Sequence, residues 1–155
     1  MAVKSALHFK WAAATFAFSY IVVNVLAVAL AIIVAAVMHA NFSGNTADVH
    51  NPAFVVSERF YPLLNLTIWG FFAWMYFKKP AGVLPPRKEG LYLGILWLAM
   101  ALPCDVVFFI IIKSEYSLSP YDFFVGQMPW IYFVYCAVLI SPAFYLYLFQ
   151  KRPGN

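Results

Sequence analysis

The sequence predicts an all-α integral membrane protein, a four-helix bundle forming a single transmembrane domain over residues 1–155 with both termini cytoplasmic. Three observations predict it. First, 65% of the residues are hydrophobic and only 10% are charged, whereas soluble domains run near ~45–50% apolar and ~25% charged. Second, there are four apolar runs, at about 11–38, 60–77, 90–112 and 127–149. Each comes close to or exceeds the ~20 residues that a helix needs to cross a hydrocarbon core of ~30 Å. Third, eight of the ten Lys and Arg residues (Lys4, Lys10, Lys78, Lys79, Arg87, Lys88, Lys151 and Arg152) fall in the N-terminal segment, the central connection and the C-terminal tail. Only Arg59 and Lys113 fall in the other two connections, beside Asp48, Glu58, Glu115 and Asp122. Basic residues are retained on the cytoplasmic side, so the connections 39–59 and 113–126 face outward.

The first run follows Lys4, His8 and Lys10. A basic start before an apolar stretch is also the pattern of a signal peptide, but this run is about twice the length of a signal core of ~7–15 residues. Met38-His39 does not make a small-x-small cleavage site either, so a retained first span is expected. Its face Ala13, Ala17, Tyr20, Asn24, Ala27, Ala31, Ala35 is a seam of small residues with one amide, suited to close helix packing. The polar stretch 39–59 is dense in Gly, Pro and Asn and reads as a loop. It holds an Asn41-Phe42-Ser43 glycosylation pattern, which acts only in a eukaryotic secretory setting.

The second run places Pro62 in a first helical turn, where its missing N–H costs nothing. Asn65 shares a face there with Tyr61, Trp69, Phe72 and Tyr76. A basic, proline-rich connection leads to the third run, where Gly90, Gly94, Leu98, Ala101 and Asp105 fall within roughly 60° of one another at about 3.6 residues per turn. The glycines predict close helix approach. The fourth run carries Pro129 near its start and Pro142 inside it. No internal repeat is evident between the two helix pairs.

Asp105 is the one acidic or basic side chain inside any of the four runs. An ionised carboxylate at that depth costs about 2.5–3.5 kcal/mol on insertion scales, so it needs a partner, solvation or a proton. Asn24 lies at comparable depth on the first run, Asn65 and Tyr132 lie somewhat nearer the outer face on the second and fourth, and the expected site is a polar intramembrane cluster of Asp105, Asn24, Asn65 and Tyr132. The plainer reading of the same residues is interhelical glue, at about 0.6 kcal/mol per bond. Glu58 and Arg59 are expected as an outer-face gate or ion pair, with Arg59 able to snorkel toward Asp105. Gly90, Gly94, Ala27, Ala31 and Ala35 are expected to pack helices.

Other chemistry has little to stand on. His39, Asp48 and His50 share one loop but do not supply the three or four converging ligands that zinc or copper requires, so no metal and no cofactor is expected. Ser19, Thr67 and Ser141 lack a His or Lys at similar depth, and no phosphate loop or nucleophile elbow occurs, so no catalytic residue is assigned and the reading leans away from an enzyme. Cys104 and Cys136 lie in apolar runs as small packing residues. The net charge of +4 reflects topology, since no basic face with interleaved aromatics points to nucleic acid.

The expected partners are the lipid bilayer and either a second copy of the chain or other membrane subunits. The expected location is a bacterial inner membrane. The leading function is non-enzymatic, as a homo-oligomer or a subunit of a larger assembly. The alternatives are a small-solute, ion or proton transporter or channel using Asp105, and a lipid-binding or lipid-modifying protein.

Overall fold

The computed structural model describes residues 8–39, 51–78, 87–114 and 117–150, and among these every regular element is helical. Helix α1 spans Phe9–Val37, α2 spans Pro52–Ser57 and leads through a 3-10 turn at Glu58–Phe60 into α3, Tyr61–Lys78. Helix α4 spans Arg87–Asp105 and continues as a π-helical turn over Val106–Ile111. A second π-helical turn, Asp122–Gly126, precedes α5 at Trp130–Gln150.

The boundaries have local causes. Helix α1 stops where His39 turns left-handed, at φ 50°, a common way of ending a helix. In α2, the Asn51 side chain accepts from the Ala53 N–H at 2.9 Å and Pro52 follows it, an N-cap with proline at the first position. Pro103 has no N–H to offer the Ala99 carbonyl, and the helix widens soon after, with the Ile112 N–H reaching five residues back to Val107 O at 2.9 Å. The Leu118 N–H closes onto Phe109 O at 2.8 Å. In α5 the buried Pro142 leaves Val138 O without its helical donor, and the Ser141 hydroxyl supplies one at 3.2 Å, as proline tolerance in a membrane helix requires.

Two connections expected as loops hold structure. Residues 52–60 form α2 and its 3-10 turn, and the stretch from Pro120 to Gly126 is helical, so α5 begins at Trp130 instead of about 127. Aromatic and proline residues in both segments find apolar surface to cover: Phe54 and Phe123 are buried. Asn41-Phe42-Ser43, Asp48, His50 and Lys79 lie outside the described residues.

Packing is most extensive between α3 and α5, then α4 and α5, then α1 and α3. The main core joins Ala12, Phe16, Trp69, Trp97, Leu93 and Leu146 from all four long helices. At its centre the Trp69 and Trp97 rings lie 5.2 Å apart, and the Trp97 indole N–H donates to Ala12 O at 3.0 Å. A second core gathers Phe123, Ile131 and Tyr135.

Among the described residues, three helices are long and apolar enough to cross a membrane, at Phe9–Val37, Lys88–Ile111 and Trp130–Leu148. Their outer faces keep large apolar side chains exposed, among them Phe18, Ile21, Val25, Ile32, Phe108 and Phe144. Such surface is unusual on a soluble monomer and compatible with a membrane location. Helix α3 is not among the three; Lys78, Asn65, Pro62, two tryptophans and two tyrosines make it less apolar. Of these it turns Asn65, Trp69 and Tyr76 inward, where they are buried, while Lys78 is exposed.

The small-residue contacts are intramolecular. A Cβ on Gly90 would stand 2.7 Å from Leu146 Cδ1 and 3.1 Å from Pro142 O, and one on Gly94 would collide with the Leu139 carbonyl. Both glycines therefore let α4 lie against α5 of the same chain. On α1, Ala31 and Ala35 are buried and Ala27 half-buried, but Ala17 is exposed. Toward the N-terminus the inward face is Ala12, Thr15, Phe16, Ser19 and Val23, one residue out of phase with the expected seam.

Candidate functional site

The halves of the molecule differ. Toward the helix ends that carry Phe9, Lys78, Lys88 and Leu148, side chains close on one another, with Ala12, Leu93, Ala73 and Leu146 without significant exposure. Toward the other end the helices leave a cavity of about 160 Å³. Its walls come from the second half of α1, from α2, from the first half of α3, from the end of α4 and from the start of α5.

Asp105 stands in that wall, placed by the stripe that begins at Gly90. Its two carboxyl oxygens have separate partners. The Tyr20 hydroxyl donates to Oδ1 at 2.7 Å and the Tyr135 hydroxyl donates to Oδ2 at 2.9 Å. Three helices are thus tied through one carboxylate, each bond being of the charge-assisted kind when the acid is ionised. No Lys, Arg or His is found among the described lining residues.

Asn24 and Asn65 line the same cavity, but neither bonds Asp105. The Asn24 side-chain amide donates to Tyr20 O at 2.8 Å. Asn65 donates to Tyr61 O at 2.8 Å and accepts the Trp69 indole N–H at 2.9 Å, which fixes both its ends. Tyr132 departs from expectation. It is 43% exposed and outside the cavity, and Tyr135 takes the place assigned to it. The two differ by three residues, about 60° around the helix and most of a turn in depth.

The reach of Arg59 toward Asp105 also departs from expectation. Arg59 is exposed and is not among the residues of the cavity wall that holds Asp105, so it does not dip inward to that acid. Glu58 is buried, at 7% exposure, at the junction of α2 and α3. Burial pushes its carboxyl up to about 7, against the opposing pull of the Arg59 charge. Next to it, Ser57 donates to Phe54 O at 2.9 Å, so the 3.2 Å contact between Ser57 and Tyr61 hydroxyls has Tyr61 as donor.

The remaining polar groups serve their own helices. Ser19 donates to Thr15 O, Thr67 to Leu63 O and Ser141 to Val138 O, leaving none of these hydroxyls arranged as a nucleophile. Asp122 accepts from the Ser119 hydroxyl at 2.8 Å and is not in the cavity wall. Cys104 and Cys136 are both free thiols, and among the described residues no group of three or more His, Cys, Asp or Glu converges as metal ligands. Lys78 lies over the Trp74 ring at 4.7 Å, a cation–π contact.

Of the polar lining residues, Tyr135 and Gln127 are not singled out by the sequence alone, and Tyr20 is placed on a helix face but not in the polar cluster. Tyr20 did lie on the face that carries Asn24, one turn away. Set against protein-family profiles, curated proteins and solved structures, the chain matches none of them.

Proposed function

We propose that this is a four-span membrane bundle, with both termini on the cytoplasmic side of a bacterial inner membrane, that binds and transports a small solute or ion at Asp105. One observation carries the reading: a cavity open to all the long helices, with a lone carboxylate held at its wall by hydroxyls from two other helices. An intramembrane acid is costly to keep, and a cavity at the same place gives it something to act on. In the orientation set by the basic residues, α3 supplies the fourth span, the cavity belongs to the outer half and the packed core closes the inner half. That asymmetry supports a site reached from outside.

The homo-oligomer or subunit reading stands as the alternative; of the small-residue surface that motivates it, Gly90 and Gly94 face α5 of the same chain. The solute reading is tested in proteoliposomes by solid-supported-membrane electrophysiology, with protons, Na⁺, K⁺, small amines, small carboxylates and neutral solutes as successive probes. A current or counterflow that disappears in Asp105→Asn is expected. Silence toward every probe, together with a stable partner that co-purifies, would return the function to that of a subunit.

A further inference from the structure

Beyond the existence of a site, and resting on that reading of it, the cavity carries information about the class of solute. We infer that it receives a small organic cation, an amine or quaternary ammonium with an apolar body about the size of one ring. Three features of the wall lead there. The first is charge. Asp105 is the only acidic or basic residue of the described lining, so the complementary species is a cation. The tyrosine hydroxyls satisfy one site on each carboxylate oxygen, and an ionised carboxylate has about four lone-pair sites. The remainder can meet N–H donors or the diffuse charge of a quaternary nitrogen.

The second feature is the rest of the wall. Aromatic side chains come from six different segments: Tyr20, Phe54, Tyr61 with Trp69, Phe109, Phe123 and Tyr135. Aromatic rings around a carboxylate are the environment in which ammonium groups are recognised, by attraction to the ring quadrupole. Among its described residues the same wall gives an anion no Lys, Arg or His, only the amides of Asn24, Asn65 and Gln127, the Trp69 indole and the tyrosine hydroxyls. One N–H of Asn24 and one of Asn65 already donate to backbone, and the Trp69 N–H donates to Asn65.

The third feature is size. The cavity of about 160 Å³ compares with an engineered apolar cavity of about 150 Å³ that binds benzene. A bare alkali ion would leave most of such a space unfilled, and the aromatic and aliphatic share of the wall would offer it no ligand. A ring or short branched chain bearing one ammonium matches both the volume and the single acid.

The test is a charge ladder on the unaltered full-length chain in nanodiscs. Binding is measured by calorimetry and by Trp fluorescence, Trp69 being in the wall. The probes are benzyltrimethylammonium, benzylamine, benzyl alcohol and benzoate, similar in shape and different in charge. Both cations are expected to bind at least about tenfold more tightly than benzyl alcohol, with benzoate weakest. In Asp105→Asn the cation preference is expected to vanish while benzyl alcohol is retained, and because the ladder runs first on the native chain, a misfolded variant does not decide the matter. Equal affinity for benzyl alcohol and the cations, or preference for benzoate, would overturn the cation assignment while leaving a small-solute site in place. Failure of all four to bind would overturn the cation assignment too, and the flux measurements above would decide separately whether another solute uses Asp105.

Discussion

Two tyrosines give Asp105 its place. Tyr20→Phe and Tyr135→Phe each delete one donor to the carboxylate, and each is expected to cost about 0.6–1.7 kcal/mol, the range of buried bonds within membranes. Unfolding in mixed micelles with rising denaturing detergent measures it; no change in either variant would mean that the hydroxyls contribute nothing to assembly. Glu58 behaves differently. Its carboxyl is raised in the folded protein from the ordinary 4.5 to about 7, so the folded state holds that proton more tightly than the unfolded chain does. The stabilisation is complete below about pH 4.5 and is lost as pH rises through about 7. The thermal midpoint in detergent should therefore fall across that window, and Glu58→Gln should remove this part of the slope.

Helix α4 depends on having nothing at Gly94. A methyl group there meets the Leu139 carbonyl, a backbone atom that cannot swing aside. Gly94→Ala is expected to destabilise by at least about 1–3 kcal/mol, as overpacking does. Gly70, where a Cβ would meet nothing within 4 Å, is the control. Gly70→Ala is expected to gain about 0.5–1 kcal/mol from helix propensity. Thermal unfolding of both variants checks the pair, and equal effects would deny the backbone contact. The helices themselves are legible in the sequence, because spanning length and apolarity need no knowledge of neighbours. Asp105 is legible for the same reason, as an acid where none is expected. Its partners are not. Choosing Tyr135 over Tyr132 requires the rotation and depth of α5 to within one turn. Those depend on where α5 starts, and the helical stretch 120–126 moved that start from about 127 to Trp130. Helix α2 was hidden because a segment of Gly, Asn and Pro reads as loop until Phe54 finds a buried place.

For the whole molecule, the division into a packed end and a cavity end makes the proposed topology testable. A fluorescent protein fused after Asn155 should fluoresce in the cytoplasm, and an alkaline phosphatase fused at the same point should stay inactive. The opposite pair of results would invert the membrane orientation and place the cavity on the cytoplasmic side. The contact of Gly94 with the Leu139 carbonyl lies between those two ends and has a mechanical meaning. With no side chain between the two backbones, the spacing of α4 from α5 is set there by backbone contact. A change in the angle between the helices about that point would move nearby residues least and distant ones most. Asp105 is about 16 Å further along α4 at about 1.5 Å per residue, so a tilt of about 10° carries the carboxylate about 3 Å sideways. A displacement of that size is comparable to a hydrogen-bond length, enough to pull an oxygen away from a tyrosine on a neighbouring helix, while Trp97 and Ala101 of the core, nearer the contact, would move less.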